Sequence, residues 1–337
     1  MAIMGADLNR TAMVYESGAY GAVTGTGFWP GRVQNFTPSD DSQGIQRIRY
    51  HNGTTRNRDA SIVGDQNYGG VLDLFPDDWK LLMYTLGNGS DTTTGSPAYY
   101  SHVLSELNSD DSNPFTSGTR KPFSSFTLES AQMYATDSNL VRLYNGCVVD
   151  SLKITADQNT PIVFSANIMA QNMTYDSGAP TYTVSEPTGR PQITSDTEVH
   201  LPSGTAMPFK SWDLTINNNF ARDKAHICNG SRVMAAPIPE NREYVFNATM
   251  DAESTEAKRL YGIWKSGGDV QINGGIWVKS RYGNTASGTH WISMSGCDID
   301  AFNAPNPMEG INEWSLTLIP TAVDALIQDQ TEKYLSW

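Results

Sequence analysis

Five histidines, His51, His102, His200, His226 and His290, are scattered singly through the 337 residues. Most lie beside turns, and none stands at the spacing of a zinc ligand pair or of a nucleophile and its base. The acid pairs Asp40-Asp41, Asp77-Asp78 and Asp110-Asp111 could suggest calcium. None has the alternating oxygen ligands and closing Glu of a calcium loop, and solvated turns or a helix N-terminus account for them better. The chain contains no GxxxxGK[ST] phosphate loop, no GxSxG elbow and no HExxH helix. Cys147, Cys228 and Cys297 form an odd set without a CxxC, so they read as small buried thiols of a chain folded in a reducing cytoplasm. No catalytic residue, cofactor site or metal site is expected.

Aromatic residues leave one enzyme or lectin reading open. Eight Trp and fifteen Tyr could line a sugar groove beside an acid pair that cleaves glycosides. The other reading places Trp79, Trp212, Trp264 and Trp314 on apolar stripes, in the core.

Charge narrows the partners. Thirty-six acids against 23 bases give a net charge of -13, which argues against a broad basic surface for nucleic acid. It leaves room for a surface that stays near DNA without adhering to it. With 39% apolar and 18% charged residues, the chain is neither disordered nor a coiled coil. It lacks the 18-residue apolar run of a membrane helix, and its first ten residues lack the pattern of a secretory signal. Asp outnumbers Glu and Arg outnumbers Lys, which suits either a salty environment or an ordinary acidic surface.

The elements that must position any site are mostly strands. Short runs in period-two alternation recur between Gly, Ser, Thr, Asn and Pro punctuation, among them 126–129, 148–154, 162–168, 212–216, 244–249 and 314–318. Two helices interrupt them. Pro76 to Leu86 carries Trp79, Leu82, Met83 and Leu86 on one stripe and stops at Gly87. Ser254 caps a second helix to about Lys265, with Ala257, Leu260, Tyr261 and Trp264 on the same spacing. Trp79 and Trp264 are expected at equivalent positions. A third, short helix is expected from Thr321, with Val323, Ile327 and Tyr334 on one side.

Matching features recur in the same order 150–180 residues apart: an Asn-Gly turn, a strand ending in Asp, the helix, a Gly-Cys-x-(Val/Ile)-Asp run and a final apolar strand. This order predicts a duplicated, mainly β chain of antiparallel sandwich or barrel domains, each with one flanking helix. The expected boundaries are a first domain over 1–175, with a long structureless arm at 88–121, an extended linker over 176–208, and a second domain over 209–337 with a C-terminal tail.

With these features in place, the chain resembles tail tube proteins of long-tailed double-stranded DNA viruses, in the subgroup that carries two tube domains. The resemblance rests on Glu16-Ser17-Gly18-Ala19-Tyr20-Gly21, on Tyr144–Leu152 running through a turn into Ile162–Gln171, and on Trp212–Asn219. It implies a non-enzymatic structural virion protein that stacks as rings into the hollow tube through which DNA passes during ejection. With the four strands per tube domain that it implies, a channel wide enough for a duplex predicts trimeric rings with pseudo-sixfold symmetry rather than hexamers. By resemblance the partners are copies of itself, a tape-measure protein, a tail terminator and a distal tail protein, with no specific DNA binding and no membrane. Assembly in the host cytoplasm and residence in the virion tail follow from the same resemblance. Alternation offers Ser165, Asn167, Glu313, Ser315 and Thr317 as candidates for the lumen; that wet face could equally meet solvent or another subunit. A capsid decoration or baseplate protein, or an extracellular carbohydrate-binding or adhesin protein, remains the alternative.

Overall fold

A computed structural model describes residues 9–16, 20–21, 23–39, 41–42, 46–48, 60–62, 66–94, 99–106, 124–133, 139–182, 184, 191–200, 206–207, 209–221, 234, 237–252, 254–266, 271–272, 276–281, 289–305 and 312–329. From the N-terminus, β1 (Asn9–Glu16), β2 (Val23–Phe28), β3 (Arg32–Pro38), β4 (Asp41–Ser42), β5 (Gln46–Ile48), β6 (Ala60–Ile62) and β7 (Gln66–Phe75) lead into α1 (Lys80–Leu86). The hairpin β8 (Gly87–Thr94) and β9 (Tyr99–Glu106) precedes β10 (Phe126–Gln132), β11 (Leu140–Ala156), β12 (Val163–Ala170) and β13 (Asn172–Asp176). Next come β14 (Thr197–His200), β15 (Ala206–Met207), β16 (Phe209–Asn217), β17 (Phe220–Ala221), β18 (Ile238–Pro239), β19 (Glu243–Asp251) and α2 (Thr255–Lys265). The last described strands are β20 (Gln271–Ile272), β21 (Ile276–Arg281), β22 (Thr289–Ser295), β23 (Cys297–Asn303), β24 (Glu313–Ile319) and β25 (Ala322–Asp329). The described residues are mainly antiparallel β, as the alternation predicts, and contain two α-helices.

Eight strands pair side by side in the order β3-β7-β12-β11-β16-β19-β24-β23. The N-terminal half of β11 turns away into a second layer, β2-β1-β10-β11-β13. A third layer runs β15-β14-β21-β22-β25-β9-β8. Apolar side chains between the layers, including Leu72, Phe164, Leu214, Phe246 and Leu318, form one core and are fully buried.

The same pairing scheme occurs twice. β3-β7-β12-β11 recurs as β16-β19-β24-β23, and β2-β1-β10-β11-β13 recurs as β15-β14-β21-β22-β25. Bulges fix the correspondence residue by residue, because an extra residue shifts the register at a defined point. Against β7, β3 slips between Val33 and Asn35; against β19, β16 slips between Phe209 and Ser211. β11 slips between Val149 and Ser151, and β23 between Ile299 and Ala301. Hence Phe164 corresponds to Trp314, Leu152 to Phe302, His290 to Leu140 and Ala325 to Tyr175. Ahead of the second pair of bulges, Gly146 and Gly296 adopt left-handed φ values of 63° and 59°, which glycine adopts without steric cost. Each is followed by a buried cysteine, Cys147 or Cys297, whose thiol donates to the carbonyl three residues back; Cys228 lies outside the described residues.

The helices differ in how they start. Ser254 caps α2 by accepting the Ala257 N–H at 3.0 Å, and Glu256 and Lys265 match the helix dipole. α1 begins at Lys80 rather than at Pro76: Asp77 and Asp78 form a bend ahead of it, and Trp79 takes the N-cap position. Gly87, at φ 93°, ends the helix and donates its N–H to the Met83 carbonyl.

Four sequence expectations need correction. Trp79 and Trp264 are not equivalent: Trp79 opens its stripe and is fully buried, whereas Trp264 closes its stripe and is half-buried. Stripe order instead aligns Trp79 with Ala257, Met83 with Tyr261 and Leu86 with Trp264. Within 88–121, residues 88–94 and 99–106 are strands β8 and β9, and 107–121 lie outside the described residues. β8 is polar and lies at the edge of the third layer among the described residues. Within 176–208, β14 and β15 belong to the third layer. From Thr321 onward the chain forms β25, not a helix; Val323 and Ile327 are four apart, a spacing shared by both periods, and buried Ala325 between them selects the strand.

Candidate functional site

Period two sends alternate side chains of the eight-stranded sheet to opposite faces. One face carries Leu72, Phe164, Ala166, Ile168, Leu316 and Leu318 into the core. Its reverse is polar. Register places Asn35, Asp73, Ser165, Lys153 and Thr215 in one row, and Asp213, Asn247 and Thr317 in the next. All five sequence candidates, Ser165, Asn167, Glu313, Ser315 and Thr317, lie on this reverse face. Trp314, expected in the core, is half-buried.

Hydrogen bonds lace that face across strands. The Ser165 hydroxyl donates to Asp73 Oδ1 at 2.6 Å, and the Thr317 hydroxyl to Asn247 Oδ1 at 2.9 Å. Asn247 Nδ2 donates to Asp213 Oδ2 at 3.0 Å, and Asn167 Nδ2 to Asp150 Oδ2 at 3.4 Å. Lys153 pairs with Asp213 at 3.7 Å, and Lys210 with Glu313 at 2.5 Å. Asp73 and Glu243 add further negative charge, so acids prevail over bases here.

The sheet has two ends. Among the described residues no strand lies on the outer edge of β3, and β23 has only β20 beside its first two residues. Each end therefore presents backbone donors and acceptors in a row.

Where the two repeats meet, a buried polar cluster replaces apolar packing. Asn218 Nδ2 donates to the carbonyls of Thr85 at 3.0 Å and Val149 at 2.8 Å. Arg242 Nε donates to Asn218 Oδ1 at 2.6 Å, and its Nη2 to the Leu86 carbonyl at 3.2 Å. These donors satisfy the C-terminal carbonyls of α1, and the cation suits that end of the helix dipole. Glu106 on β9 accepts from the Tyr244 hydroxyl and from the Val323 N–H at 3.2 Å. Burial and the adjacent Glu106 push the Tyr244 hydroxyl far above its usual pKa, while Arg242 opposes them. Trp79 Nε1 donates to Gln192 Oε1 at 3.2 Å; the Gln192 amide meets His290 Nδ1 at 2.9 Å, and the two rings lie 4.9 Å apart. Nothing in the sequence foretold this junction except the Asn217-Asn218-Asn219 run, too polar for a strand end that is buried.

A further polar pin explains the Glu16–Gly21 segment. The Glu16 carboxylate accepts from Ser125 and Thr127 hydroxyls at 2.6 Å each, and from the Gly21 and Gly146 N–H groups at 3.0 and 2.7 Å. The Tyr20 hydroxyl donates to the Gly146 carbonyl at 2.7 Å. Both contacts hold the bulge at which β11 changes layers.

Of the histidines, His102 and His290 are fully buried, His102 with Asp91 Oδ1 at 2.7 Å from Nδ1. His51 and His226 lie outside the described residues. Trp79 and Trp212 are buried, at 0% and 3% exposure, so neither lines a groove. No described helix is long and apolar enough to cross a membrane. Among the described residues no group of three or more His, Cys, Asp or Glu could hold a metal ion.

Residues 9–276 match the family model described as phage tail tube protein. No curated protein matches the chain.

Proposed function

The chain belongs to the phage tail tube protein family and serves as a structural part of the virion tail; from that premise we propose that three copies close into a ring and that rings stack into the channel for DNA. Both repeats act as tube domains within one chain, and neither is catalytic. The observation that carries the reading is the eight-strand sheet whose end strands, β3 and β23, have no full-length outer neighbour among the described residues.

Inside the chain, β11 of the first repeat pairs with β16 of the second, with Ser151 opposite Asn217 and Thr155 opposite Asp213. Carried over by the bulge correspondence, the same register between chains sets Ala301, Asn303 and Pro305 opposite Asp41, Ser39 and Thr37 of the next copy. Pro38 turns a position without a donor toward this ladder, which therefore has fewer hydrogen bonds than its internal counterpart.

Three chains supply 24 strands. At ~4.8 Å spacing and about 40° tilt these close a barrel about 48 Å across, or roughly 38 Å inside its side chains. That admits a duplex of about 20 Å with its hydration. Six chains would give a barrel of about 95 Å, far wider than DNA needs. Ser165, Asn167, Glu313, Ser315 and Thr317 then line the lumen. An acidic wall repels phosphate over about one Debye length, ~8 Å in physiological salt, so DNA slides without adhering. The tape-measure protein, tail terminator and distal tail protein are its proposed partners, assembly occurring in the host cytoplasm. Electron microscopy of the purified protein at high concentration tests the class: stacked rings support it, and a persistently monomeric protein contradicts it.

A further inference from the structure

We propose that the aromatic face of α2, formed by Tyr261, Trp264, Phe302 and Trp314, is the seat for a second copy of this chain, which covers it with Tyr175 and Leu140 of its first repeat. This rests on the ring reading, and it identifies a contact separate from the strand edges.

The four rings form one cluster. Tyr261 lies 5.9 Å from Trp264, 5.5 Å from Phe302 and 5.6 Å from Trp314, and Phe302 lies 5.7 Å from Trp314. Tyr261, Trp264 and Trp314 are each half-buried. Their counterparts in the first repeat are not: Met83, Leu86 and Phe164 are buried to 1% exposure or less.

The difference has a cause within the chain. α1 is overlaid by the second repeat, where His290 on β22 packs at a tilt against Trp79 and β9 lies along the helix, with Leu104 opposite Ala325 of β25. Among the described residues, α2 has no such cover. Among the described residues only the short β20 lies between it and β21, which begins at Ile276, whereas β10 starts 40 residues after α1 ends.

The cover that α2 lacks has an uncovered counterpart. Where the second repeat has Ala325, at 4% exposure, the first repeat has Tyr175, at 78%. Where it has His290, fully buried, the first repeat has half-buried Leu140. Two surfaces that are pressed together within the chain therefore both recur with less cover, Tyr175 exposed and the α2 rings and Leu140 half-buried. An operation that puts the next chain's first repeat where this chain's second repeat sits brings them together. Larger residues at these sites, Trp264 for Leu86, Trp314 for Phe164 and Tyr175 for Ala325, fill the volume corresponding to that of the β8–β9 hairpin over α1.

A photoreactive benzoylphenylalanine at position 175 of the full chain tests the contact in assembled tubes. The expected result is a covalent dimer whose joined peptide contains residues 254–266 or 313–319 of the second copy. Joining to any other segment, or no dimer in tubes visible by electron microscopy, would overturn the contact while leaving the ring reading intact. Absence of rings from the unmodified protein would instead overturn the ring reading. As a second variant, Trp264→Glu places a charge in this interface and should lower ring yield by about tenfold or more, while the isolated chain stays folded and loses less stability than Trp79→Ala does. Rings formed at wild-type yield by that variant would also refute the seat.

Discussion

Gly146 and Gly296 hold the same left-handed turn, at φ 63° and 59°, at the point in each repeat where the chain enters its buried Cys. A Cβ at Gly146 would come within 2.7 Å of Gln171 Cβ and 3.0 Å of Tyr20 Cζ. Gly146→Ala adds that collision to a left-handed cost of about 1–2 kcal/mol. Chemical denaturation should show a loss above that range.

Trp79 is buried against Phe164, at 5.4 Å between ring centroids, and its N–H is bonded to Gln192. Trp79→Ala should therefore destabilise the chain by about 3–5 kcal/mol. Trp264→Ala should cost the isolated chain clearly less, since that side chain is only partly buried. Equal losses in urea titrations would contradict the inequivalence of the two residues.

Removal of the Asn218 side chain leaves the Thr85 and Val149 carbonyls without that donor in a buried junction. Asn218→Ala should cost about 1–3 kcal/mol for each group left unsatisfied. Hydrogen exchange should quicken first at the α1 C-terminus, where the junction holds the helix.

Asp77 provides a pH signature. Burial raises its pKa from 3.8 to about 6, against the opposing pull of Arg32 and the Trp29 N–H. Because the folded value exceeds the unfolded one, the protonated carboxyl favours the fold. That contribution is complete below about pH 3.8 and is lost as pH rises through about 6. Thermal unfolding of Asp77→Asn should lack this component, and the variant should exceed the native protein in stability at pH 7.

Strands with one wet face were legible because alternation is local: 148–154, 212–216 and 314–318 lie wholly in strands, and 162–168 does so from Val163. The duplication was legible too, through the Gly-Cys runs that prove to be paired bulges. The hairpin β8–β9 was not, since an edge strand needs no apolar pattern and Asn88–Thr94 has none. This changes the expected role of the segment. It is not a removable arm: Leu104 is fully buried and Glu106 anchors Tyr244 and Val323, so deletion of 88–121 should destabilise the fold itself. The polar face could be traced by strand, but its continuity across both repeats depended on the β11–β16 pairing, a long-range contact with no local signal.

A cryo-EM reconstruction of the assembled tube tests the central claim most directly. The predicted ring has three chains and a 24-stranded inner wall, with β23 of each chain beside β3 of the next and Ser165, Asn167 and Thr317 facing the channel. Six chains per ring, or an inner wall built from other strands, would contradict it.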